Sequence, residues 1–309
     1  MIELKNYSSI ISNLVKEKII LHCRRFKVNA EICNLLCNIF EHYSPNKERG
    51  YIINVISSAY GLSKETSLFL ESGVELIFAS YYLKDDLLDD VSDLFGELNT
   101  RESNKKFTLV ADMLVELGNR EIALYCDHVR GTEGALFSGI FSMVYGQYLG
   151  LKLGAATSIE QYFQVAHNKN GVMVKSAIEM LRPIIGNKID FEVLESFACS
   201  FGVGSQIRND IEDFFLREDF GKPFRDFMTN QTNFVLSLHY ERTRKSSDFI
   251  SKKEKPLDEI LLSFSEDLML GLAFLDAFKN DLIKKLSLLS NAECKKKLES
   301  IVRNTLVIM

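Results

Sequence analysis

Along almost the whole chain, apolar residues recur at helical rather than strand spacing. Ile10, Ile11, Leu14 and Val15, then Ile32, Leu35, Leu36, Ile39 and Phe40, mark two helices within residues 1–44, and Pro45 with Asn46 breaks the second. Lys47, Glu48 and Arg49 open a third, which Gly61 and Leu62 close. Ser63 stands where a long helix begins, with Val74, Ile77, Phe78 and Tyr81 at buried-face spacing. The pattern loosens from Phe95 to Asn104, which reads as a loop. Helical spacing resumes at Phe107 and runs, with a break near Gly131, to Leu151. Thr157 and Glu160 have capping-box spacing and start a helix that reaches Lys169, Asn170 and Gly171; a further apolar stretch, 172–181, stops at Pro183. Residues 191–214 read as one long helix and 216–233 as a broken connection. Three helical segments finish the chain around a lysine-rich loop at Pro256. No stretch alternates long enough to form a half-buried strand, so the expected fold class is all-α.

Composition narrows the picture. A chain of 309 residues, 46% hydrophobic and with four prolines, can bury its core as one domain spanning 1–309. The net charge of −5 gives no basic footprint, so nucleic acid is not an expected partner. No apolar run reaches the ~18 residues of a membrane span, and the N-terminus lacks signal-peptide character, so a cytoplasmic protein is expected. Six cysteines without a Cys-x-x-Cys pair read as reduced thiols, neither zinc ligands nor disulfides. The five histidines are scattered.

Chemistry concentrates in two acidic clusters. Asp85, Asp86, Asp89 and Asp90 end the fourth helix, with Asp85 and Asp89 one turn apart. Like charges at this spacing repel, and acids oppose the dipole at a helix C-terminus, so the cluster needs a counter-charge. Hard oxygen donors on one face suit Mg²⁺; the bland alternative is a solvated helix end. The second cluster lowers the weight of that alternative. Asn209, Asp210 and Asp213 share one helical face, with Gln206 a turn earlier. Two oxygen-rich helix ends can hold metal ions that bridge to a diphosphate, whose departure then needs no protein nucleophile.

These residues carry a resemblance. Glu75 to Asp90 resembles the first aspartate-rich motif of the trans-isoprenyl diphosphate synthase (polyprenyl synthetase) family, and Phe201 to Asp213 resembles its second. Gly146-Gln147, Lys169-Asn170-Gly171 and Gly221-Lys222 look like the family's Gly-Gln, Lys-Thr and Gly-Lys segments, in order, within about residues 45 to 235. The resemblance implies a class I isoprenoid-synthase bundle of about a dozen helices around a central cavity, commonly a homodimer. It implies about three Mg²⁺ ions on Asp85, Asp86, Asp89, Asn209, Asp210 and Asp213, with an allylic isoprenyl diphosphate held by Lys169, Lys222, Gln206 and Gln147.

The departures fall on the second-substrate side. The family's Gly-Lys-x-x-Arg-Pro is here Ser44 to Gly50, where Arg49 aligns but the lysine is displaced or lost; its histidine before the first motif is Phe78; its Arg-Arg-Gly is absent, leaving Arg101 at a distance. Asn230-Gln231 replaces a Gly-Lys pair. Each lost charged hydrogen bond costs ~1.5–3 kcal/mol of diphosphate binding. Lys84, just before Asp85, is placed to pair with those carboxylates when metal is absent. Tyr81, one turn before Asp85, with Tyr82 beside it, is either an ordinary core aromatic or, as the resemblance implies for bulky side chains before the first motif, the floor that stops the prenyl chain at about C10 to C20. The function expected is therefore Mg²⁺-dependent prenyl transfer to an acceptor other than isopentenyl diphosphate, a peptide or a small molecule. In this it is similar to enzymes that prenylate pheromone peptides. A terpene cyclase, a short-chain synthase with an altered pocket and, last, a non-catalytic partner subunit are the alternatives.

Overall fold

The computed structural model describes residues 2–44, 47–88, 93–94, 97–98, 100–132, 134–215, 224–244 and 256–308. The fold is all-α, as the spacing implied. Its one departure among the described residues is a pair of two-residue strands, β1 (Asp93–Leu94) and β2 (Glu97–Leu98), antiparallel with Asp93 opposite Leu98. Two residues are too few to carry a period of two in the sequence. The chain forms two compact units, Met1–Glu133 and Gly134–Met309.

The first unit contains α1 (Ile2–Arg25), α2 (Ala30–Tyr43), α3 (Glu48–Ala59), α4 (Lys64–Leu88) and α5 (Arg101–His128). Its core joins Ile11, Val15 and Ile19 of α1 to Leu36, Ile39 and Phe40 of α2, and these to Leu76, Ala79 and Leu83 of α4 and Phe107, Ala111 and Leu114 of α5. The α4 and α5 backbones meet at two glycines: a Cβ on Gly73 would stand 2.9 Å from the Gly118 oxygen, and one on Gly118 would stand 2.8 Å from the Gly73 oxygen. Helix α5 begins earlier than its apolar pattern suggested. Thr100 caps it and Ser103 bonds back to the cap, a reciprocal box that serine at the third position conceals in the sequence.

The second unit contains α6 (Ala135–Leu153), α7 (Ile159–Ala166), a π-helical turn (His167–Gly171), α8 (Val172–Glu179), α9 (Arg182–Ile185), α10 (Lys188–Glu212), α11 (Arg225–Thr229), α12 (Phe234–Thr243), α13 (Leu257–Leu286) and α14 (Ala292–Thr305). Helix α10 packs against α8, α12, α13 and the π-helical turn. The capping box of α7 uses Ser158 and Gln161, one residue beyond the Thr157 and Glu160 expected; Thr157 turns inward and its hydroxyl donates to the Gly154 carbonyl. Pro183 lies in the first turn of α9, where its missing N–H is harmless. Helix α10 starts at Lys188 because Asn187 caps it. The six cysteines are free thiols, and among the described residues no helix is long and apolar enough to cross a membrane.

Candidate active site

Helix α4 carries the first acidic cluster and, unusually for a core helix, two carboxylates without solvent exposure, Glu71 and Glu75. Both are satisfied by hydrogen bonds, as buried charges must be. Glu71 accepts from the Tyr7 hydroxyl at 2.8 Å, from Asn54 at 3.1 Å and from Ser67; burial still pushes its carboxyl up from the ordinary value. Glu75 accepts from the Gly50 N–H at 2.6 Å and from the Ser44 hydroxyl, which ties the start of α3 to α4.

That tie decides where the basic residues of this segment go. Lys47, with φ 50°, folds back into the protein: its side chain has no solvent exposure, its ammonium donates to the Ser44 carbonyl at 2.6 Å and sits 4.9 Å from the Phe40 ring centroid. Burial lowers its pKa. Half-buried Arg49 lies flat on Phe78, 4.0 Å from the ring centroid, and donates to the Tyr82 hydroxyl. Phe78, 1% exposed, thus forms a floor under the guanidinium.

At the end of α4, Asp85 and Asp86 are half-buried, and Asp86 accepts from the Tyr43 hydroxyl at 2.6 Å. Asp89 and Asp90 lie outside the described residues, as does Lys222. The expectation for Lys84 is corrected: it pairs with Asp112 of α5 at 2.8 Å rather than with the aspartates of its own helix. A residue one step before Asp85 points about 100° away from it, toward α5. Its ammonium is 5.4 Å from the ring centroid of Tyr81, whose phenol is pushed up by burial and by Asp112.

In the second unit, the end of α10 presents Asp210 in a closed setting. It is 2% exposed; one oxygen accepts from the Gln206 amide at 2.6 Å and the other from the Phe234 N–H at 2.9 Å. Burial first, then the charge of Asp226, push Asp210 up to about 7. The same two causes push Asp213 well above its ordinary range, with Arg225 pulling back. Asp213 also caps α11, its two oxygens accepting from the N–H groups of Arg225 at 3.0 Å and Asp226 at 3.1 Å. Asn209 points its carboxamide oxygen at Arg208 instead, 3.0 Å away. Half-buried Lys169 stands on the π-helical turn, and half-buried Gln147 on α6.

Two contributors were not assigned roles from sequence. Asp226 joins the carboxylates through the fold alone, since Asp213 holds the first turn of α11 against the end of α10. Asn233, fully buried, caps α12 and donates to both the Asp210 carbonyl at 3.0 Å and the Asp226 carboxylate at 2.8 Å. An asparagine directly before Phe234, Val235 and Leu236 is a readable capping signal; its second task is not readable.

Comparison with known proteins places this arrangement. The family model described as Polyprenyl synthetase matches residues 34–261. The chain belongs to the polyprenyl synthetase family. It is accordingly an enzyme of the transferase class, a prenyltransferase that works on prenyl diphosphates. No curated protein matches it by sequence. Among solved structures, a polyprenyl synthase from Caulobacter crescentus complexed with calcium and isoprenyl diphosphate is similar at 17% identity and TM-score 0.80, over 98% of this chain and 96% of that one. A heptaprenyl diphosphate synthase from Staphylococcus aureus is similar at 14% identity and TM-score 0.81, over 98% of both chains. A geranylgeranyl pyrophosphate synthetase from Pyrococcus horikoshii is similar at 16% identity and TM-score 0.80, over 99% of this chain and 98% of that one. At these identities the likeness establishes the isoprenoid-synthase fold. Among the described residues, no three acidic, histidine or cysteine side chains converge closely enough to hold an ion by themselves. Yet Asp210, Asp213 and Asp226 are carboxylates whose burial and mutual repulsion outweigh the pull of Arg225, and a set of hard oxygen donors of this kind fits a hard divalent cation.

Proposed function

We propose that this polyprenyl synthetase ionises a short allylic isoprenyl diphosphate and transfers the prenyl group to an acceptor other than isopentenyl diphosphate. The observation that carries the second half is the fate of the basic segment. Lys47 is buried against Ser44 and Phe40, and Arg49 is committed to Phe78 and Tyr82. A second diphosphate bears two to three negative charges, and withdrawal of each cation costs ~1.5–3 kcal/mol of its binding.

In this reading Asp85, Asp86, Asp89 and Asp210 hold Mg²⁺, with Asp213 beside them and Asn209 offering a neutral oxygen. Bound there, the metal neutralises the charge that develops on the departing diphosphate. Lys169 and Lys222 bind diphosphate oxygens, with Gln147 and Gln206 in support. The bond between the allylic carbon and the diphosphate oxygen breaks, and its electron pair leaves with the oxygen. The allylic cation is captured by a nucleophilic atom of the acceptor, a peptide or a small molecule, which then gives up a proton. The apolar cavity that the family resemblance implies keeps water from capturing it first. Tyr81 limits the prenyl chain to about C10 to C20 by standing across its path.

The test is to supply the purified protein with Mg²⁺ and geranyl, farnesyl or geranylgeranyl diphosphate, with and without isopentenyl diphosphate, and to follow diphosphate release and organic products. Release should not respond to isopentenyl diphosphate. A lengthened prenyl diphosphate would overturn the reading in favour of a short-chain synthase, and a cyclic hydrocarbon or alcohol formed without acceptor would favour a cyclase.

A homodimer is part of the same proposal. On α6, Phe137, Phe141, Val144, Tyr145, Tyr148 and Leu151 form one exposed stripe; Phe137 is 72% and Phe141 66% exposed. So much contiguous apolar surface is rarely left to water. Phe141→Glu should convert a dimer to a monomer in analytical ultracentrifugation; a wild-type protein that sediments as a monomer at micromolar concentration would disprove the assignment.

A further inference from the structure

The π-helical turn at His167–Gly171 is an expensive backbone form that persists where packing imposes it. Two close approaches do so here. A Cβ on Gly146 of α6 would stand 2.4 Å from the Lys169 nitrogen, and one on Gly202 of α10 would stand 2.5 Å from the Asn170 oxygen. Held between these helices, Asn170 is 3% exposed and its amide nitrogen donates to the side-chain oxygen of Gln206. The Gln206 nitrogen then donates to the Asp210 carboxylate at 2.6 Å. A glutamine side chain can present either its oxygen or its nitrogen to a neighbour. The Asp210 carboxylate calls for the nitrogen, and Asn170 supplies the matching donor to the oxygen at the other end, so the Gln206 amide is held from both sides.

We propose that Asn170 is a positioning residue: through Gln206 it fixes the carboxylate of Asp210 and thereby sets the concentration of Mg²⁺ the enzyme requires. The proposal rests on Asp210 as a metal ligand, so the experiment separates the two ideas.

Wild type, Asn170→Ala, Gln206→Ala, the double variant and Asp210→Asn are compared by two readouts. These are calorimetric binding of inorganic diphosphate in the presence of Mg²⁺, and the Mg²⁺ concentration giving half-maximal diphosphate release. Thermal melting reports on folding, and Asn170→Ser replaces Asn170→Ala if the alanine variant does not fold. Direct partners of metal ligands typically govern about 10- to 100-fold in metal affinity, so Gln206→Ala should raise the Mg²⁺ requirement at least about tenfold and Asn170→Ala, one hydrogen bond further out, by up to about tenfold. The rate at saturating Mg²⁺ should stay within about threefold, and the double variant should be no worse than Gln206→Ala alone, since both act on one chain of hydrogen bonds. An unchanged Mg²⁺ requirement, or additive effects in the double variant, overturns the role of Asn170. If Asp210→Asn leaves Mg²⁺-supported diphosphate binding intact, the assignment of Asp210 fails instead.

Discussion

Asp210→Asn is expected to slow Mg²⁺-dependent diphosphate release by on the order of 10²–10³-fold and, in metal-free buffer at pH 8, to raise the melting temperature. The two effects have one cause. Burial and Asp226 hold the Asp210 carboxyl at about 7, against an ordinary value of 3.8. A group that binds its proton more tightly when folded gains stability as pH falls. The penalty is full above about 7, is relieved as pH drops through that value, and changes no further below about 4. Asp213 shifts in the same direction and adds to the trend. The metal-free wild type should therefore melt higher at pH 5.5 than at pH 8, and the asparagine variant should keep only the part of that difference that belongs to Asp213. Asparagine keeps the shape and an oxygen but removes the charge that repels Asp226, so an inactive and more stable variant marks a carboxylate retained for chemistry. Calorimetric melts of both proteins in chelator at the two pH values measure this. A wild type that melts higher at pH 8 would contradict it.

The second large effect is expected at Gly202. Its added Cβ would meet backbone atoms of the π-helical turn, the Asn170 oxygen at 2.5 Å and carbonyl carbon at 2.8 Å, and backbone cannot step aside as a side-chain end can. Overpacking of this kind costs about 1–3 kcal/mol or more, so Gly202→Ala should unfold at markedly lower denaturant. Activity should fall further than stability does, because the atoms displaced belong to the residue that orients Gln206 and sit beside Lys169. Gly134→Ala is the control: nothing lies within 4 Å of its Cβ, and the change should cost less than about 1 kcal/mol. Equal midpoints for the two variants in urea would show that the turn is not held by α10.

Much of the fold is legible in the pattern of apolar residues. Spacing alone separates helix from strand over long stretches, so α1 to α4, α10 and the last three helices stand close to where the apolar pattern puts them. The boundaries that shifted, at Arg101, Ile159 and Lys188, depend on single capping side chains, and several nearby residues could have served. A π-helical turn adds one residue to one loop of backbone and leaves no periodic trace.

The acidic runs at Asp85 and Asp210 can be read from local order because the spacing of carboxylates on a helix is a local property, and the family that the ordered motifs resemble is the one whose model matches residues 34–261. What became of the cations around them was decided elsewhere. Lys47 looked like a displaced ligand and is a buried residue bonded to Ser44; Lys84 looked like a partner of Asp85 and pairs with Asp112. Asp226, distant in sequence from the second cluster, lies against it. Local order along the chain specifies the helices, the acidic helix ends and the chemistry they suit. Which charges meet is settled by packing, because a long side chain goes where hydrogen bonds and burial outweigh water, and those partners are supplied by other helices.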